Sequence, residues 1–107
     1  MQALYKSFHA KVATQLDEIG MNLDKALADG GVNERQEALK KVENQAHKLA
    51  GTAGTFGLDG MTVPARTLEE LCRSFNEAQR LPENDQYPRL VSALQNMKDA
   101  YTHSKAP

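Results

Sequence analysis

The chain is 107 residues long with 13 Lys+Arg against 14 Asp+Glu, a formal net charge of -1, so it reads as one domain, residues 1–107, with no global field to attract nucleic acid or an anionic membrane. Hydrophobic residues make up 40% and charged residues 25%, a globular mix that argues against disorder and allows a single core without staples. The lone cysteine, Cys72, excludes an internal disulfide, no apolar run approaches the roughly 20 residues of a bilayer span, and Met1-Gln2-Ala3-Leu4-Tyr5-Lys6 lacks the regions of a signal peptide, so the expected location is the cytoplasm.

Four segments in turn show helical periodicity. The first places Leu4, Phe8, Val12, Leu16, Ile19, Leu23 and Leu27 at steps of three and four and stops at Gly30-Gly31. The second opens on Asn33 and Gln36, which have capping-box spacing, and runs through Leu39, Val42, Ala46, Leu49, Ala53 and Phe56 until Gly57-Leu58-Asp59-Gly60 interrupts it. The third carries Leu68, Leu71, Phe75 and Ala78, with Asp59 or Thr62 as its cap and Pro64 suited to a first turn better than to an interior. It ends near Arg80-Leu81-Pro82. The fourth, capped by Asn84 or Asp85, has Pro88 in its first turn and presents Tyr87, Leu90, Val91, Leu94, Met97 and Tyr101, before a polar tail, Ser104 to Pro107, that is expected to fray. Short connections favour antiparallel neighbours, so the expected fold is all-α, an antiparallel up-down four-helix bundle. Without an apolar stripe beyond these four, a monomer is expected.

The second segment does not fit a plain bundle. Gly51 and Gly54 fall inside its helical pattern, where each glycine is expected to destabilise by about 1 kcal/mol relative to alanine. At about 100° per residue, Gly51 lies nearly opposite a stripe centred on Ala46. A bare position on an outer face suggests that another molecule comes close there. The same stripe carries Lys40, Glu43, Asn44 and His47, with Gly54 toward one edge. A Walker A loop needs Gly-Lys-Ser/Thr and a dinucleotide fingerprint needs a preceding strand, and neither is present. Glu43 and His47 are four apart, unlike the Glu-x-x-His of di-iron bundles, so no metal site and no cofactor are expected. A single helical histidine is more commonly an ordinary surface residue, and His9 and His103 belong to no motif. Cys72 reads as a small buried or boundary thiol, and Tyr87 and Tyr101 as packing residues.

The run His47-Lys48-Leu49-Ala50-Gly51-Thr52-Ala53-Gly54-Thr55-Phe56-Gly57-Leu58 resembles the signature of histidine-containing phosphotransfer (HPt) domains, H-x-L-K-G-x-A-x-x-x-G, and its Gly-x-Ala-Gly-Thr-Phe-Gly stretch looks like the phosphotransfer domain of chemotaxis-type histidine kinases. Leu68-Glu69 and Leu71 stand where the family has its Leu-Glu motif. The resemblance implies that His47 is the phosphoacceptor and that Glu69 bonds the other imidazole nitrogen, with Glu70 competing for that role. It also implies a receiver-docking face of Lys40, Glu43, Asn44, Ala50, Gly51 and Gly54, the two glycines clearing space for the partner. The implied partners are a response-regulator receiver domain, which brings its own Mg²⁺, and a histidine kinase. The chain departs from the pattern at Ala50, where the family usually has a lysine, leaving Lys48 as a partial substitute for neutralising phosphate. Beside a phosphoryl carrier that is not itself an enzyme stand two alternatives: a docking bundle that carries no phosphate, and an excised phosphotransfer domain of a larger kinase.

Overall fold

Glycine pairs and prolines divide the sequence into four amphipathic helices, and the computed structural model, which describes residues 2–28 and 30–103 and their side chains except those of residues 2–9 and 56, shows how they close on one another. They are α1 Gln2–Leu27, α2 Val32–Thr52, α3 Asp59–Ala78 and α4 Tyr87–His103, with no strand among the described residues. Each helix packs on the next and α4 returns to α1, giving the antiparallel up-down four-helix bundle expected of short connections. The expectations for the Leu4, Phe8, His9 and Phe56 side chains and for the tail 104–107 fall outside the described residues.

The periodic stripes converge on one core. Val12, Leu16, Ile19 and Leu23 meet Leu39, Val42, Ala46 and Leu49 from α2, Met61, Leu68, Cys72 and Phe75 from α3, and Leu90, Leu94 and Met97 from α4, all buried. A fully buried leucine contributes about 1.5–3 kcal/mol over an exposed one, so these stripes dominate the stability. Val91, expected on the fourth stripe, is 51% exposed: it follows Leu90, and one step of about 100° carries it out of a stripe that Leu90, Leu94 and Met97 already fill.

The helix ends differ from expectation in ways that backbone chemistry explains. α2 begins at Val32 with Gly31 as its cap and no side-chain cap, so Asn33 and Gln36 form no capping box. Gln36 instead donates to the Gln79 carbonyl just past α3. Regular α2 ends at Thr52, but the chain continues through a 3₁₀ turn, Gly54–Phe56, and stops at Gly57, whose φ of 79° is left-handed. Gly57 N–H donates to Gly54 O and Leu58 N–H to Ala53 O, a Schellman closure that glycine adopts without steric strain. α3 closes in the same pattern at Gln79, where Gln79 N–H reaches Asn76 O and Arg80 N–H reaches Phe75 O. Its cap is Leu58, and Asp59 is its first residue. Pro64 lies inside α3, contrary to expectation, and withholds the donor that the Gly60 carbonyl would take. Before α4, Glu83 and Gln86 form the capping box of a 3₁₀ turn, Asn84–Gln86, displacing Asn84 and Asp85 from that role. Tyr87 packs as expected, half-buried, and its hydroxyl accepts from Arg35.

Candidate functional site

α2 meets α1 on one flank and α3 on the other, leaving a solvent-facing stripe between them. His47 stands on that stripe with its side chain 68% exposed, and its Nδ1 lies 2.8 Å from Oε2 of Glu69 on α3. Glu69 is 6% exposed, the one buried charged residue among those described. Its position follows from the α3 pattern: it sits between Leu68 and Cys72, at the edge of the apolar stripe, where a carboxylate can turn toward the neighbouring helix. Glu70, one residue on, is exposed, so Glu69 is the carboxylate that meets the ring.

A carboxylate only accepts hydrogen bonds, so the proton between the two groups belongs to Nδ1. In a neutral ring this leaves Nε2 as the unprotonated nitrogen, with its lone pair directed away from Glu69. A buried carboxylate needs further partners, and Arg73, one turn along α3, donates its Nη2 to the same Oε2. Arg73 Nε also reaches Oε2 of Glu43 at 3.4 Å, and Asn76 Nδ2 donates to the other Glu43 oxygen at 2.7 Å. His47, Glu69, Arg73, Glu43 and Asn76 thus form one chain of hydrogen bonds across the α2–α3 seam. Arg73 and Asn76 had no sequence signal of their own. Their i+4 and i+7 spacing from Glu69 becomes meaningful only when α3 is aligned antiparallel to α2 with Glu69 beside His47.

The expected docking residues separate by position. Lys40 and Asn44 are exposed on the His47 face. Glu43 is partly buried, its side chain 25% exposed, and its carboxylate is engaged with α3, so it belongs to the internal network. Ala50 is 7% exposed and joins the core, which corrects its place on the docking face: it lies about 60° from His47 toward α3, and α3 covers its methyl-sized side chain. Lys48 is exposed but lies about 100° from His47 toward α1, on the flank away from Glu69.

The two glycines are not equivalent. A β-carbon on Gly51 would meet nothing within 4 Å, whereas one on Gly54 would stand 3.2 Å from Oδ1 of Asp59. A side chain at Gly54 would thus need the exposed Asp59 carboxylate to give by a few tenths of an ångström, whereas Gly51 leaves open surface one turn from His47. Gly51 lies in the last turn of α2 and Gly54 lies beyond its regular part, so the full penalty for a helix-interior glycine applies to neither.

Among the described residues no three His, Cys, Asp or Glu side chains converge as metal ligands. Cys72 is fully buried, and that burial, with the Glu43 charge as a lesser cause, pushes its thiol up to about 12. The thiolate is the reactive form, so Cys72 is a packing group. None of the helices is long and apolar enough to cross a membrane among the described residues. The family model described as the Hpt domain matches residues 3–101. No curated protein and no solved structure matches the sequence.

Proposed function

The chain belongs to the Hpt domain family, which indicates a phosphotransfer role in two-component signalling, and from that premise we propose that His47 carries the phosphoryl group, exchanging it with an aspartate of a response-regulator receiver domain. The observation that supports this most directly is the pairing of an exposed imidazole with a buried carboxylate at 2.8 Å. Glu69 fixes the Nδ1–H tautomer and turns Nε2 outward, so the nucleophilic lone pair is presented to a docking partner. Arg73 holds Glu69 from the other side, and the ring direction is set before the partner arrives.

Phosphoryl transfer depends mainly on positioning and charge neutralisation. The receiver supplies the acidic pocket, the aspartate and the Mg²⁺, and this chain supplies an aimed imidazole with open surface at Gly51. No cofactor of its own enters the reaction, and the chain acts as a carrier without autonomous kinase activity. A monomer in the cytoplasm, taking phosphate from a kinase-charged receiver or from the kinase itself, completes the proposal.

The test is to mix the protein with phosphorylated receiver domains and follow acid-labile, alkali-stable label, with His47→Gln as the control. Label on the wild type and none on His47→Gln is the expected result. Label that persists on His47→Gln would overturn the assignment.

A further inference from the structure

The geometry points to Arg66 of α3 as the cation that binds the phosphoryl oxygens carried on His47, supplied from the helix opposite the position where the family usually has its lysine. This inference rests on the phosphoryl-carrier reading above.

The register of the α2–α3 seam carries the argument. His47 meets Glu69, and Glu43, one turn earlier on α2, meets Arg73 one turn later on α3. One further turn in the opposite direction brings Ala50 level with Arg66. Arg66 and Arg73 straddle Glu69 at i−3 and i+4, so both occupy the rim of α3 that borders α2. Their circumstances differ. Arg73 is bound to two carboxylates, whereas Arg66 is exposed and has no hydrogen-bonding or ionic partner among the described residues. On α2 the position between the ring and α3 is the small Ala50, about 60° from His47 toward α3, so no long side chain of α2 stands in the way. Lys48, the substitute expected from the sequence, lies on the far flank of α2.

The charge balance shows what the cation does. Nε2 attacks phosphorus as the bond from phosphorus to the aspartyl oxygen breaks, and the aspartate leaves as a carboxylate. The proton stays on Nδ1, held by Glu69, so the imidazole carries a positive charge and the new phosphoryl group two negative ones. The nearest carboxylates of this chain, Glu69 and Glu43, already have Arg73 as their counterion. The added charge therefore falls to a separate cation, and a guanidinium suits a phosphoryl group because its donors match two oxygens at once.

Phosphoramidate is a receiver-independent donor that transfers its phosphoryl group to a histidine nitrogen and releases ammonia. Intact mass then gives the rate of His47 phosphorylation. Arg66→Gln is expected to slow it about fivefold, in line with about 1 kcal/mol for an exposed charge pair. Arg66→Lys is expected to retain most of the rate, and Ala50→Lys placed on Arg66→Gln to recover it. On phosphorylation the Arg66 Nε resonance is expected to shift in ¹⁵N spectra. Wild-type rates in Arg66→Gln, or an unmoved Arg66 resonance on a phosphorylated chain, would overturn the arginine's role alone. A wild-type chain that takes no phosphoryl group at His47 would overturn the carrier reading and this inference with it.

Discussion

The two flanks of α2 are built from different chemistry. Toward α3 the seam is ionic and partly buried, with Glu69 and Glu43 gripping Arg73 and the ring of His47. Toward α1 its polar contacts centre on a half-buried amide: Gln45 accepts from Asn22 at 3.1 Å and donates to the exposed Glu18 carboxylate at 3.3 Å. A buried carboxylate is demanding about its partners, because each one lost leaves desolvated charge behind. A neutral, half-buried amide still reached by water loses less when a partner is removed, because no desolvated charge is left behind. One helix thus carries a seam that fixes the direction of a histidine and a seam that only closes the bundle.

Substitutions on the two flanks test that contrast. The largest effect is expected from Glu69→Ala, which frees the imidazole and leaves Arg73 with Glu43 alone. By analogy with the carboxylates that orient metal-bound histidines, His47 phosphorylation is expected to fall about tenfold or more, with helicity by circular dichroism retained. Glu69→Gln, whose amide oxygen still accepts from Nδ1–H, is expected to lose less. Equal losses in both variants would show that charge at residue 69, rather than ring orientation, is what matters.

Gly51→Ala is expected to act in two opposite directions. The added methyl meets open space, so thermal or denaturant unfolding is expected to show a stabilisation of about 0.5 kcal/mol. Transfer from a receiver is expected to slow while phosphorylation by the small donor phosphoramidate does not. If both donors are slowed alike, Gly51 is not a docking position. Gln45→Ala, on the amide flank, is expected to change stability by no more than about 0.5 kcal/mol and to leave phosphorylation untouched. A loss comparable to that of Glu69→Ala would erase the distinction between the flanks.

Much of the fold was legible because helical periodicity is a local signal. The stripes through Val12, Leu39, Leu68 and Leu90 needed only spacing to be found, and all four residues are fully buried. Val91, Pro64 and the caps at Asn33 and Asp59 were misplaced because their roles depend on packing or on backbone closure beyond the segment itself. Of the site, the run from His47 to Gly57 identified the histidine. The divergence of Gly51 and Gly54 was invisible, since Asp59 reaches Gly54 only after the chain has turned back.

The sequence by itself determined four amphipathic helices, a histidine on the outer stripe of the second, and a bare glycine one turn beyond it, because a period of about 3.6 residues fixes where each side chain points around its own axis. The tertiary structure decided that Glu69 rather than Glu70 meets the ring, that Arg73 holds Glu69 and that Ala50 is covered. Those facts depend on how far one helix slides along another. Periodicity says nothing of that axial register, which the packing of the two apolar stripes and the tight turn between Gly54 and Asp59 set together.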